Sequence, residues 1–217
     1  MLYILFHTFA GQTQQAMINE IKEIINKEAN AILNIPVNEN FIVAVDLIYK
    51  HVHELNGKLI TSGMGKAGQI ALNIATTFSS TGTPAVYLHP SEAQHGDLGV
   101  IQANDVLLVI SNSGKTREII ELIELTHRLW KSVPVIVITS NPESVLAKEC
   151  ELFIYTGNPE EVCALGLTPT TSTTVMTVLG DIMVVLLMKK IGFSNAEYAK
   201  RHHGGYLGFK SRTAAGL

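Results

Sequence analysis

The chain has 217 residues, of which 47% are hydrophobic, and a formal net charge of −3. This length and composition predict one α/β domain with a large buried core and leave no room for a second domain of ordinary size. The lysines and arginines are scattered singly, so the sequence lacks the basic surface that DNA or RNA partners require. The two cysteines, Cys150 and Cys163, have no C-x-x-C spacing, which indicates a reducing compartment, and we assign the cytoplasm.

The N-terminal part of the chain precedes the predicted sheet. Residues 1–11 are apolar but have no basic residue ahead of the apolar run, so we interpret them as an extension and not as a signal peptide. Apolar positions recur with helical spacing over Gln12–Leu33 and again over Val37–Leu55. We therefore expect two N-terminal helices, with residues 1–36 as an extension and helix and residues 37–217 as the main domain.

Apolar, β-rich runs then alternate with helical patterns along the chain. The five predicted strands are Lys58–Ser62, Ala85–Leu88, Val106–Ser111, Val133–Thr139 and Leu152–Tyr155. The three helical patterns between them are Lys66–Ser80, Lys115–Trp130 and Glu143–Glu149. Strands that are apolar throughout and alternate with helices predict a parallel sheet covered on both faces. We expect a three-layer α/β/α sandwich with a five-stranded parallel sheet.

A further apolar stretch, Val175–Met188, is 14 residues long and contains Gly180 and Asp181. It is shorter than the roughly 20 residues that span a bilayer. We expect a buried helix and no membrane partner.

The segment Leu59–Gly68 runs from a β-branched strand through glycines to Lys66 at the start of a helix. A cation at the positive end of a helix dipole is locally unfavourable, so the sequence predicts a negative ligand beside it. The G-x-G-x-x-G spacing matches the dinucleotide fingerprint, but the ribose-binding carboxylate expected about 20 residues further on is missing. A P-loop is excluded because Ile60 stands where its first glycine belongs. A phosphorylated small molecule is the better hypothesis.

Three loops rich in hydroxyl groups and glycine lie at residues 62–68, 111–118 and 168–174, each beyond a predicted strand. Because the carboxyl ends of parallel strands meet at one sheet edge, we expect these loops to lie together. Hydroxyls and free N–H groups at a helix start can enclose a phosphate without a metal, although each loop alone is more typical of a turn or N-cap. The candidate substrate-binding residues are Ser62, Gly63, Gly65, Ser111, Asn112, Ser113, Thr116, Thr170 and Ser172.

Five motifs, in order along the chain, carry a resemblance to a known family. They are Ser62–Gly68, His89–Gly99, Ser111–Glu118, Thr170–Thr174 and Ala199–Gly208. The first, third and fourth resemble the sugar isomerase (SIS) domain, and the other two are similar to the D-arabinose-5-phosphate isomerase family within it. The resemblance covers about residues 37–208 and implies a flavodoxin-like SIS domain over residues 37–217.

The chain departs from the family pattern at two places. The family's common form carries two regulatory CBS domains after the isomerase domain, whereas this sequence stops at Leu217. The family usually has a proline after the motif histidine, where this chain has His203. The match of that histidine to His202 therefore rests on the flanking residues Ala199 and Gly205.

The resemblance implies an aldose–ketose isomerase that interconverts D-ribulose 5-phosphate and D-arabinose 5-phosphate, on the way to the acid sugar Kdo of lipopolysaccharide or capsule. It also implies a homotetramer with active sites at subunit contacts. The family's active-site positions fall at Lys66, Glu118, Glu161 and His202, with His95 as a fifth candidate. We expect no cofactor and no metal, because the histidines lack a ligand spacing and enediol chemistry does not require a metal.

Such an isomerase moves a proton between C1 and C2 of the open sugar through an enediol. Lys66 would stabilise the developing oxyanion, and Glu118 would orient Lys66 or handle a hydroxyl proton. The carbon base would be Glu161 or His202, and the sequence does not choose between them. Structural roles remain open as well: Glu118 as a first-turn helix acid, Glu161 as a solvated loop residue, and His202 as part of a surface pair.

Two other functions stay open. Another phosphosugar isomerase of the same fold would act on hexulose 6-phosphate or sedoheptulose 7-phosphate. A sensor would bind a sugar phosphate without turnover, but it would need a DNA-binding module that residues 1–36 do not resemble. The charges of Lys115 and Arg117 suggest feedback by a Kdo-containing nucleotide sugar at or near the active site, since that ligand combines a carboxylated sugar with phosphate.

Overall fold

The computed structural model describes residues 14–216, so the predicted extension over residues 1–11 lies outside the described residues. The strands are β1 (Leu59–Gly63), β2 (Ala85–Tyr87), β3 (Val106–Ile110), β4 (Val135–Thr139) and β5 (Leu152–Tyr155). The helices are α1 (Gln14–Leu33), α2 (Asn40–Ile48), α3 (Gly65–Ser80), α4 (Pro90–Ala93), α5 (Arg117–Leu129), α6 (Val145–Glu149), α7 (Thr171–Lys190), α8 (Asn195–Arg201) and α9 (Gly205–Ala215). Helix α2 continues into a π-helical segment, Tyr49–Glu54, and a 3-10 turn spans Asp97–Val100.

The five strands form one parallel sheet in the order β2-β1-β3-β4-β5. Every residue of β1, β3 and β4 is buried, because helices cover both faces of these strands. The chain leaves β1 for β2 on one side and returns to β3 on the other, so the strand order reverses between β1 and β3. The predicted three-layer sandwich with a five-stranded parallel sheet is confirmed.

Two apolar layers enclose the sheet. On one face α2, α3 and α7 pack through residues such as Ile48, Phe78 and Leu179. On the other face α5 and α6 contribute Ile119 and Leu146. By length and composition alone α7 is apolar enough to cross a membrane, but 50% of its most apolar window is buried inside the fold. This packing agrees with the expected buried helix.

The two predicted N-terminal helices are present as α1 and α2, while some boundaries differ from the prediction. Strand β4 begins at Val135 and not at Val133, because Pro134 has no N–H to give to the ladder. Helix α5 begins two residues after Lys115, since Thr116 is still extended. The sequence analysis also missed α8 and α9, which bury few residues and therefore show only a weak helical pattern.

Asp105 joins two chain segments at the amino edge of the sheet. Its side chain is fully buried. One carboxylate oxygen accepts from the Lys58 backbone N–H at 2.8 Å, and the other accepts from the Gln102 N–H and the Lys58 ammonium, both at 2.7 Å. The carboxylate thus ties the residue before β1 to the turn before β3, and its buried charge is fully paired.

Replacement of this carboxylate tests how much the amino edge depends on it. Asp105→Ala leaves three donors without their acceptor, and we expect the free energy of unfolding to fall by about 2–4 kcal/mol, measured by urea denaturation. Glu143→Gln is the matched control, because it breaks an exposed ion pair of similar length with Lys148 and should leave the urea midpoint unchanged. Equal midpoints for Asp105→Ala and the wild type would contradict this role.

Candidate functional site

A cavity of about 330 Å³ lies beyond the carboxyl ends of β1 and β3, where the strand order reverses. Parallel α/β sheets bind ligands at such switch points. The cavity is lined by Met64, Lys66, Ala67, Ile110, Ser111, Asn112, Ser113, Thr116, Pro169, Ser172, Thr173 and Met176. The three loops that the sequence predicted to lie together, after β1, after β3 and before α7, all contribute to it.

The turn after β1 places Lys66 at the cavity. Gly65 has φ +58°, a left-handed conformation that favours glycine, and it lets the chain enter α3 at once. A Cβ on Gly68 would lie 2.5 Å from the Gly63 carbonyl oxygen, so only glycine permits this close approach of helix and strand. Tyr87 donates to the same oxygen at 3.0 Å. Lys66 therefore sits in the first turn of α3 on a tightly fixed backbone, with its side chain exposed.

The loop after β3 presents a fixed set of hydroxyls. The hydroxyls of Ser111 and Thr116 share a hydrogen bond of 2.8 Å, which closes the loop on itself. The Asn112 carbonyl accepts from the Ser140 hydroxyl at 2.8 Å and from the Ser140 N–H at 3.0 Å. The Ser113 hydroxyl accepts from the Lys115 N–H at 3.2 Å. The loop is thus held at both its base and its tip beside the start of α5, where unpaired N–H groups favour an anion.

Glu161 lies at the N-terminus of α7, where the helix leaves its first N–H groups unpaired. Its carboxylate accepts from the N–H and hydroxyl of Thr170 at 2.7 and 2.9 Å, from the Ser172 N–H at 3.3 Å, and from the Ser172 hydroxyl. Burial by itself would raise the pKa of Glu161, but the hydrogen bonds from Ser172 and Thr170 outweigh it and lower the pKa. The residue is therefore bound to the helix start and is not a freely solvated loop side chain.

Three other predicted active-site residues do not line the cavity. Glu118 is half-buried in the first turn of α5, and His95 is exposed after α4. Helix α4 lies near the site, since the Ser91 hydroxyl is 3.9 Å from the Met64 sulfur. These residues surround the cavity without meeting in it.

His202, the third of them, lies at the opposite end of the molecule. Its ring stacks on Tyr198 at 3.7 Å, and its Nδ1 is 3.1 Å from the Tyr198 carbonyl oxygen. Tyr198 contacts Phe193, which packs against Gly82 at the far end of α3. Since α3 begins at the cavity and ends at the amino edge of the sheet, one chain does not bring His202 to its own cavity.

Among the predicted substrate-binding residues, Ser62 is placed differently from the rest. It is fully buried and donates its hydroxyl to the Leu88 carbonyl at 2.7 Å, which fixes the exit of β2. The sequence analysis missed Thr173, which lines the cavity beside Ser172. The run of hydroxyl residues 170–174 contained that signal, because consecutive residues of a first helical turn all surround the helix end.

Other ionisable groups do not add a second centre. Within the described part of the chain, no three His, Cys, Asp or Glu side chains form a group that could hold a metal ion. Burial, with Glu151 and Glu149 nearby, raises the pKa of Cys150 to about 12. Backbone N–H groups, that of Thr168 foremost, lower the pKa of Cys163, whose Sγ accepts from it at 3.1 Å.

Sequence comparison matches residues 55–186 to the SIS domain family. The arabinose 5-phosphate isomerase KdsD of Yersinia pestis is 45% identical over 186 residues, which are 86% of this chain and 55% of that protein. The protein of the same name from Escherichia coli K12 is 43% identical over the same shares. The chain thus spans about half the length of the curated relatives it matches.

Two solved structures extend the comparison. A Bacteroides fragilis protein described as a phosphosugar isomerase involved in capsule formation is 64% identical, with a TM-score of 0.86 over 88% of this chain and 99% of that one. Protein c3406 of E. coli CFT073, solved in complex with arabinose 5-phosphate, is 33% identical, with a TM-score of 0.80 over 88% of this chain and 100% of that one. From its sequence and its fold, the chain belongs to the SIS domain family.

Proposed function

We propose that this protein is a D-arabinose-5-phosphate isomerase, which interconverts D-ribulose 5-phosphate and D-arabinose 5-phosphate through an enediol for Kdo biosynthesis. The observation that carries the proposal is the cavity, where Lys66 and the hydroxyls of two loops surround a space of about 330 Å³. The similarity to relatives named arabinose 5-phosphate isomerase supports this substrate over other sugar phosphates. We place the enzyme in the cytoplasm.

The phosphate group binds the loop after β3. Ser111, Ser113 and Thr116 offer hydroxyls there, and the start of α5 adds N–H groups and the positive end of its dipole. Asn112 contributes to the same wall of the cavity. The sugar then extends towards Lys66 and the start of α7, which form the opposite wall.

Proton transfer takes place at the sugar end. Lys66 stabilises the negative charge that develops on the enediolate oxygen, and its exposure in an unliganded cavity leaves it free to do so. Glu118 orients Lys66 or handles a hydroxyl proton, and His95 assists from the α4 side. The carbon base is Glu161 or His202.

The assembly is a homotetramer in which a neighbouring copy supplies His202 to the cavity. The distance of His202 from its own cavity supports this arrangement. Apolar side chains on the described surface support it too, since Met17, Ile21 and Ile25 of α1 are each more than half exposed, as are Tyr206 and Phe209 of α9. Exposed apolar helix faces of this kind are typical of protein contacts.

Residues 37–217 constitute the isomerase unit in this proposal, and residues 1–36 add an extension and one helix. A Kdo-containing nucleotide sugar acts as a feedback ligand near the active site. Lys115 is exposed in the phosphate loop and available to it, whereas Arg117 already pairs with Glu121 at 2.6 Å.

The first experiment is an assay of purified, chelator-treated protein with D-arabinose 5-phosphate, with glucose 6-phosphate and sedoheptulose 7-phosphate as comparison substrates. We expect selective formation of ribulose 5-phosphate and its loss in His202→Ala. Turnover of another sugar phosphate would indicate a different isomerase. Tight binding of sugar phosphate without any turnover would indicate a sensor.

A complementation experiment tests the shared site. Lys66→Met and His202→Ala should each lower kcat by about 100-fold or more, because each removes a group that acts in the transition state. Mixed assemblies of the two variants contain sites with both residues intact, and random mixing should restore about a quarter of the wild-type activity.

Lys131→Gln, at an exposed lysine remote from the cavity, is the control for charge removal and should retain full activity. No recovery in mixed assemblies whose exchange is verified by mass spectrometry would show that His202 and Lys66 do not act across subunits.

Feedback is tested by titrating a Kdo-containing nucleotide sugar into the assay. Competition with D-arabinose 5-phosphate, weakened in Lys115→Gln, is the expected result. Saturation of the ligand without any change in isomerisation would overturn the proposal.

A further inference from the structure

The hydrogen bonds at Glu161 use its whole accepting capacity. A carboxylate has about four lone-pair sites, and here four donors occupy them: the N–H and the hydroxyl of both Thr170 and Ser172. The Thr170 hydroxyl also accepts from the Val162 N–H at 3.2 Å, so it must donate its own proton to Glu161. The carboxylate is therefore a fixed cap on α7.

This arrangement sets the direction of the Ser172 hydroxyl. The hydrogen bonds that lower the pKa of Glu161 keep it ionised near neutral pH, and an ionised carboxylate can only accept. Ser172 must then donate its hydroxyl proton to Glu161. Since Ser172 lines the cavity, its oxygen can only accept a hydrogen bond from a ligand there. A phosphate oxygen has no proton to give at a dianionic phosphate, but a sugar hydroxyl does.

We propose that Glu161 is a positioning residue, which caps α7 and turns Ser172 into an acceptor for a hydroxyl group of the sugar. This inference rests on the proposed isomerase function and assigns roles within it. Glu161 does not act as the carbon base, because a base needs a free lone pair directed at the C–H bond and all four are taken. Of the two candidates for the carbon base, His202 remains.

The first test separates binding from proton transfer in Glu161→Gln. The amide keeps the size of the side chain but cannot accept from all four donors, and we expect KM for D-arabinose 5-phosphate to rise by about 10- to 100-fold. The expected loss in kcat is less than about 10-fold, with an unchanged primary isotope effect on C2-deuterated substrate. Glu160→Gln, at the exposed neighbour, is the matched control and should behave as the wild type.

Removal of a carbon base would give the opposite result. In that case kcat would fall by about 10²- to 10⁴-fold with little change in KM, and the isotope effect would rise. That pattern in Glu161→Gln would overturn the inference.

The second test is a double-mutant cycle with Ser172→Ala. If Glu161 acts through Ser172, the double variant should lose no more kcat/KM than the weaker single variant, because the two residues form one unit. Multiplicative losses would show that the residues act independently and would overturn the link between them.

The third test does not depend on turnover. A glutamate with a lowered pKa contributes stability that is present above its ordinary pKa of 4.5 and is lost as pH falls through the lowered value. The melting temperature of Glu161→Gln should therefore lie below that of the wild type at pH 7, and the gap should close under acid conditions. No gap at pH 7 would overturn the cap. A wild type that melts as expected but turns over no sugar phosphate would instead refute the proposed function alone.

Discussion

The parallel pairing of β1 with β2 on one side and β3 on the other is the constraint on which the site depends. The two connections leave β1 and β3 in opposite directions, and a gap opens between them at the carboxyl edge. Lys66 enters this gap from the turn after β1, and the hydroxyls enter from the loop after β3. Neither loop could form the cavity alone. The buried, apolar central strands hold the two loops at a fixed separation.

Helix α7 serves both the core and the site. Its middle turns bury Val175, Leu179 and Met183 against the sheet, so the position of its axis is set by packing. Its first turn then lies at the cavity with N–H groups that need acceptors. Glu161 supplies these acceptors from a separate loop, and the same bonds orient the hydroxyls of that turn. Core packing and ligand recognition therefore meet in one helix.

The sequence predicted the layers of the fold because buried parallel strands are apolar at every position, and it predicted that the three hydroxyl-rich loops would share one edge of the sheet. It could not predict the fully occupied Glu161 carboxylate, since the partners Thr170 and Ser172 are nine and eleven residues away in an irregular loop. The buried role of Ser62 was equally hidden, because a serine at a strand end faces the sheet or the cavity according to the pleat. The position of His202 followed from α8, a short helix with little periodicity.

The sheet ends in its two shortest strands, β2 with three residues and β5 with four. An edge strand of this length exposes few unpaired N–H and C=O groups, so it is a poor template for continuing the sheet into another molecule. The exposed apolar side chains of the described surface lie mainly on helices, including α1 and α9. The fold thus discourages open-ended strand pairing, which leads to aggregates of indefinite size, and leaves side-chain packing between helices as the way in which copies recognise one another.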